Sequence, residues 1–269
     1  GGAVERNSTQ TSKRFGGGIY SEGGLLEIKD SKIEGNSNGG LYIVNGDAHL
    51  EHVLIEENTG NQPALYVEGG GEFSAEGCII SKNETKANVI QTTRGGTAEY
   101  KDKIIRQCII SDNKSIGDSY SDGNIISLDG NATFESCEIL DNSTISDFGA
   151  ATVDCGVAVV LMSDTRIAGN RAEGESGIGG IRQRSGSGKI ILENTVITGN
   201  VANGSDTSCG GVCGTTGEFV LNSGAVYNNT SRNGLGDFRF DKRATWTLMK
   251  ASEMKDPALT EAEYFKEYH

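Results

Sequence analysis

Residues 134–142 read Phe134-Glu135-Ser136-Cys137-Glu138-Ile139-Leu140-Asp141-Asn142, and residues 105–113 read Ile105-Arg106-Gln107-Cys108-Ile109-Ile110-Ser111-Asp112-Asn113. The two share a skeleton: an apolar residue, a charged one, a small one two positions on, then an aliphatic residue three before Asn. Outward from these stretches the aliphatic-x-x-Asn ending recurs along the chain. It stands at Val4/Asn7, Ile33/Asn36, Ile55/Asn58, Ile80/Asn83, Ile110/Asn113, Ile139/Asn142, Ile167/Asn170, Ile197/Asn200 and Val226/Asn229. Successive asparagines are 22 to 30 residues apart. A period of that length means one small unit stacked on the next, with a core shared between neighbours.

Aligning the units on Asn resolves their interior. Ten positions before it stand Leu26, Ala48, Phe73, Ala132, Val160, Ile190 and Phe219, with Lys103 the exception; eight before it stand Ile28, Leu50, Ala75, Ile105, Phe134, Met162, Leu192 and Leu221. Five before it the residues are small or β-branched, among them Val53, Cys78, Cys108, Cys137, Thr165 and Thr195. Residues two apart share one face of a strand. The odd step from eight to five requires the chain to bend or bulge there. A further strand opens each unit after glycine, as in Gly18-Ile19-Tyr20, Gly40-Leu41-Tyr42 and Gly211-Val212. Three short strands and a turn per unit predict an all-β right-handed parallel β-helix of about nine coils. Stacked Asn amides are expected to bond from coil to coil as a ladder.

The β-helix is expected to span residues 1–250, its last partial coil carrying Asp237-Phe238-Arg239-Phe240 and Ala244-Thr245-Trp246-Thr247-Leu248. Residues 251–269 read as a short C-terminal helix: Asp256 at the N-cap, Pro257 at the first helical position, then Ala258 to Tyr268, covering the end of the stack. The chain has 269 residues, of which only 35% are hydrophobic, while 39 are Gly and 2 are Pro. A thin core repeated along an axis suits so little apolar material. No apolar run is long enough for a membrane helix, so this segment is expected not to be membrane-inserted. A net charge of −13 without a basic stripe argues against nucleic acid as a partner.

The Gly-Gly-aliphatic openings (Gly1-Gly2-Ala3-Val4, Gly39-Gly40-Leu41, Gly179-Gly180-Ile181, Gly210-Gly211-Val212) and the aliphatic-x-x-Asn closings resemble the repeats of chlamydial polymorphic outer-membrane proteins. They are also similar to the wider pectin-lyase-like set of right-handed β-helices on bacterial surfaces. The polymorphic proteins favour Phe before x-x-Asn, where this chain has Ile or Val. The resemblance implies a secreted or surface-exposed bacterial protein, of which this chain is one piece, and surface adhesion as its setting.

For chemistry the sequence offers less. The charged column seven before Asn, with Glu51, Glu76, Arg106, Glu135 and Glu193, reads as the outward face of a strand; its enzymatic reading is a carboxylate pair of a glycan-cleaving enzyme. The polygalacturonase-type signatures do not occur, and His49, His52 and His269 form no catalytic pattern. Arg182, Arg184 and Lys189 are the cationic candidates for a lyase, with no acidic calcium cluster beside them. No catalytic residue, no metal site and no cofactor is assigned. Cys78, Cys108 and Cys137 occupy one inward position in consecutive coils and read as a stack of free thiols. Cys209 and Cys213 leave two states open, a small-loop disulfide or two thiols. The sequons at Asn7, Asn83, Asn113 and Asn142 fall on ladder asparagines, where a glycan would break the stack, which favours a bacterial origin.

The longest insertions follow the Asn turn, at Lys114–Gly123, Ser143–Gly149, Arg171–Gly177 and Val201–Gly210, and stacking must align them on one edge. That edge is the expected ligand site, with Asp118, Tyr120, Asp122, Asp147 and Phe148 as its residues. The expected function is binding or adhesion, with a host or cell-surface glycan or protein as partner. The alternative is a polysaccharide lyase or glycoside hydrolase.

Overall fold

A computed structural model describes residues 1–7, 17–93, 101–117, 123–146, 149–157, 159–184, 186–204, 207–234 and 236–248. All its regular structure is parallel β-strand, wound as a solenoid. In chain order within a coil, the first sheet runs from Ile19–Glu22 to Phe238–Phe240 and the second from Leu25–Lys29 to Ala244–Leu248. The third runs from Ala3–Glu5 to Gly224–Tyr227. Each of these three sheets is nine strands deep. Because the stack starts with a lone third-sheet strand and stops after the second sheet, it makes about eight complete turns, not nine. The expected C-terminal helix at Ala258 to Tyr268 lies outside the described residues.

The aligned rows form the core. Ile33, Ile55, Ile80, Ile110, Ile139, Ile167 and Ile197 stand in register on consecutive third-sheet strands, each at most 2% exposed. In the second sheet Phe73, Ala132, Val160, Ile190 and Phe219 point inward with Leu50, Ala75, Ile105, Phe134 and Met162. Lys103 also sits in this row, 3% exposed, and carries its ammonium to the carbonyls of Gly69 and Gly71 at the corner. Its long apolar stem fills the core position while the head satisfies two corner acceptors.

The expected bend between eight and five positions before Asn is a single left-handed residue. Asp30, His52, Gly77, Gln107, Ser136, Asp164 and Asn194, six before their asparagines, have φ of 46° to 61°. A second left-handed corner falls one residue before every ladder Asn, from Arg6 and Gly35 through Lys82 and Asp141 to Asn228. One such residue reverses the strand's facing and turns the chain, which resolves the odd-numbered step.

The Asn ladder is continuous. Each backbone N–H and side-chain Nδ2 donates to Oδ1 of the Asn one coil on, as from Asn113 to Asn142 at 3.0 Å in both bonds. Nδ2 also donates to an Ile carbonyl of the coil before, as from Asn113 to Ile80 at 2.8 Å. Gly40 shows why glycine faces the ladder. A Cβ there would lie 2.7 Å from the Ala64 carbonyl oxygen and 3.2 Å from Asn58 Nδ2.

The expected three strands per coil need a correction. The residues after Asn, read as loops, begin with a fourth sheet of seven short strands, from Thr59–Gly60 through Lys114–Ile116 and Ser143–Ile145 to Thr230–Ser231. Its inward column holds Thr85, Ser115, Thr144, Ala172 and Ala202, all buried. Small residues suffice because this sheet branches from the main core instead of enclosing it.

Candidate functional site

The fourth sheet and its return loops stand beside the outward face of the first sheet, and a groove lies between them. Along the strands that bound it, Leu41 and Ile43 point inward, so Tyr42 between them points out. Tyr20, Tyr42, Tyr66 and Gln91 follow one another in register on four successive coils. The rings of Tyr42 and Tyr66 stack at 4.7 Å between centroids, 22° apart. Their faces therefore cover one another; Tyr42 is left only 2% exposed, and Tyr66 is half-buried.

The hydroxyls are held in place. Tyr20 donates to Glu22 Oε2 at 3.0 Å, Tyr42 to Gln62 Oε1 at 2.6 Å and Tyr66 to Glu68 Oε2 at 2.9 Å. Thr93 Oγ1 lies 3.2 Å from the Tyr66 hydroxyl. Asn61, Gln62, Pro63, Lys86 and Ala87 from the return loops complete a groove of about 620 Å³ with Tyr42, Tyr66, Glu68, Gln91 and Thr93. The acidic groups mark this end electrically: local desolvation, then Glu22 and Glu68, raise the Tyr20 hydroxyl above its ordinary pKa. Glu22 and Glu68 share a column with Val44 between them. At about 4.8 Å per strand their backbones are roughly 10 Å apart. Each carboxylate is engaged by the tyrosine two residues before it. The groove thus carries hydrogen-bonding groups held by one another.

Further along the same outward row the chemistry changes. Asp154, Arg182, Cys213 and Arg239 stand in register. The Asp154 side chain is fully buried, accepts from Arg182 Nε at 2.7 Å and lies 3.1 Å from Arg184 Nη2. Arg182 also donates to the Gly149 carbonyl at 2.6 Å. Arg182 and Arg184, the lyase candidates, are thus committed to a buried acid, and Lys189 pairs with Glu218 at 3.0 Å. Burial pushes the Cys213 thiol up to about 11, against the pull of Arg239 and Arg182. A thiol that stays protonated is no nucleophile.

The charged column of the second sheet faces outward, as expected, and its charges pair: Lys29 with Glu51 at 2.7 Å and Arg106 with Glu135 at 2.8 Å. Cys78, Cys108 and Cys137 are buried free thiols on consecutive coils, and Cys209 and Cys213 are likewise two buried thiols. Among the described residues no group of three or more His, Cys, Asp or Glu side chains comes together to hold a metal, and no helix is long and apolar enough to cross a membrane.

The expected site residues Asp118, Tyr120, Asp122, Asp147 and Phe148 lie outside the described residues. The segments that hold them follow the fourth-sheet strands Lys114–Ile116 and Ser143–Ile145. Sequence reading did not find the groove. The signal it passed over was Tyr two residues after the small residue that opens the strand, in Gly18-Ile19-Tyr20, Gly40-Leu41-Tyr42 and Ala64-Leu65-Tyr66.

A family model described as a right-handed β-helix region matches residues 17–236. The chain belongs to that family. No curated protein and no solved structure matches it. Membership of the right-handed β-helix family accounts for the fold and assigns no function.

Proposed function

We propose that this β-helix is a binding module displayed at a bacterial surface, which holds a glycan in the first-sheet groove. The observation that carries the reading is the groove at Tyr42, Tyr66 and Gln91, with its fixed hydroxyl, amide and carboxylate groups. Polar groups locked by neighbours give hydroxyl-rich ligands directional partners at little ordering cost. A spacing of about 4.8 Å per coil is close to the length of one sugar residue in an extended chain, so successive coils can address successive residues. Glu22 and Glu68 favour a neutral or amino sugar over an acidic one. Tyr120 and Phe148 as aromatic anchors and Asp118, Asp122 and Asp147 as acceptors, all outside the described residues, are proposed as further ligand contacts. The resemblance to polymorphic outer-membrane repeats and pectin-lyase-like surface proteins supports an adhesive setting outside the cell.

The test is an array of neutral, amino and acidic glycans, followed by assays for new reducing ends or unsaturated products with each hit. Binding of neutral or amino glycans without turnover is expected. Catalytic turnover, or retention of acidic glycans alone, contradicts the reading.

A further inference from the structure

The second sheet carries an outward row on a different side of the rod from the groove. Its first three members, Glu27, His49 and Ser74, are polar. The next five in register are Ile104, Thr133, Leu161, Ile191 and Val220. Val159 beside them is 43% exposed. A shallow depression of about 230 Å³ opens at Thr133, Val159, Leu161 and Ile191. An outward sheet face ordinarily reads polar, and this row does so until Ile104, so its apolar half is a local feature and not a habit of the fold.

We propose that this apolar half is a self-association surface, on which a second copy packs face to face about a two-fold axis parallel to the rod. The flanking charges select both the partner and the axis. Two residues before the row stand Asp102 and Lys189; two residues after it, on the same strands, stand Arg106 and Glu193. An axis along the rod lays each coil against its own copy, so that Arg106 meets the partner's Asp102 and Lys189 meets the partner's Glu193. An axis along the strands through Leu161 instead sets Glu135 against the partner's Glu193, and Asp102 against the partner's Glu218. Glu135 and Glu218 are already paired with Arg106 and Lys189 of their own chain. That docking therefore sets neutralised pairs against Glu193 and Asp102 and brings no opposite charges together across the copies, which the rod-parallel axis does.

In the first three coils the rod-parallel arrangement faces Asp47 with the partner's Glu51 and Glu72 with the partner's Glu76. Aligned sheets cross at about 30°, so a pair pivoting on Leu161 separates those ends. Five strands spaced about 4.8 Å apart and about 17 Å long cover roughly 400 Å² per copy, an interface of the weak, transient class. Such an association takes effect where many copies are crowded on a surface.

Cysteine crosslinking reads the geometry directly, because all six native thiols are buried. Leu161→Cys under mild oxidation, at about 100 µM to match an interface of this size, is expected to form a disulfide-linked dimer with itself. A mixture of Ile104→Cys and Val220→Cys is expected to give the two homodimers and little of the mixed one. In sedimentation the unmodified protein is expected to self-associate, and the double variant Leu161→Asp, Ile191→Asp to do so at least ten-fold more weakly. Both substitutions face outward, and unchanged circular dichroism confirms that the variant is folded. Predominance of the mixed disulfide overturns the axis. An unmodified protein that stays monomeric to about 500 µM, where even weak, transient interfaces associate, overturns the interface, as does a double variant that associates normally.

Discussion

Asn229 donates its backbone N–H and its side-chain Nδ2 to the same oxygen, Asp237 Oδ1, at 2.9 and 2.8 Å. At every earlier step of the ladder that acceptor is another asparagine. An aspartate needs only to accept, so Asp237 ends the ladder where no further Asn follows. Asp237→Asn keeps the acceptor and is expected to change stability by less than about 0.5 kcal/mol. Asp237→Ala leaves two donors without it, a cost on the order of 2 kcal/mol. Asn113→Ala, inside the ladder, strands donors of Asn83 and an acceptor of Ile80 and is expected to cost about 3 kcal/mol or more. Denaturant unfolding ranks the three; equal costs for Asp237→Asn and Asp237→Ala contradict the role of Asp237.

The left-handed corners make opposite predictions for different residues. Lys82 at φ 54° and Gln107 at φ 51° hold a conformation that costs a side-chain-bearing residue about 1 kcal/mol or more. Lys82→Gly and Gln107→Gly are therefore expected to raise stability by up to about 1 kcal/mol, the relief partly offset by glycine's greater chain entropy. Gly199 has φ 66°, and a Cβ there would meet nothing closer than 4.0 Å. Gly199→Ala isolates the conformational cost and is expected to lose about 1 kcal/mol. Thermal melts that move in the reverse directions contradict the corner assignment.

Lys103 gives a pH signature. Burial holds its ammonium below the ordinary lysine pKa. Near the upper end of the accessible pH range the unfolded chain then binds more protons at this site than the folded one, so this residue's contribution to stability rises with pH up to about 10.4. Lys103→Met keeps the apolar stem and removes the titration. Subtracting its stability–pH curve from that of the unmodified protein should leave a positive slope on the approach to about pH 10.4. A flat or negative difference means that the ammonium is not desolvated.

The thiol stack should be inert because it is buried. The contact that pushes Cys108 up draws Cys78 down to about 7 and lowers Cys137, so it is the exclusion of reagent from all three, not the lack of thiolate, that protects them. Alkylation at mildly alkaline pH is expected to leave the native protein unlabelled and to modify all six cysteines after unfolding. Labelling of Cys108 in the folded state contradicts this packing.

What could be read from the chain follows how each feature is encoded. The ladder and inward rows were legible because aliphatic residues and Asn repeat at fixed offsets. The corner six before Asn was legible only as an odd-numbered step and the corner just before Asn was not legible at all, since residues as unlike as Lys82, Gln107 and Gly199 fill them. The fourth sheet was not legible: Ser115, Thr144 and Ala172 carry no apolar period that separates them from a loop. Lys103 broke the pattern because only the folded corner offers the Gly69 and Gly71 carbonyls to its head. The groove required the registry itself, which brings Tyr42, Tyr66 and Gln91 together from segments 24 and 25 residues apart.

Calorimetric titration of the tightest array glycan into the unmodified protein, Tyr66→Ala, Gln91→Ala and His49→Ala tests the groove most directly. Tyr66→Ala and Gln91→Ala are each expected to weaken binding about ten-fold or more, on the order of 1.4 kcal/mol. His49→Ala, on the outward face of the second sheet, is expected to bind as the unmodified protein does. Undiminished affinity in both groove variants, with their folds intact by circular dichroism, contradicts the assignment of the ligand to the first-sheet groove.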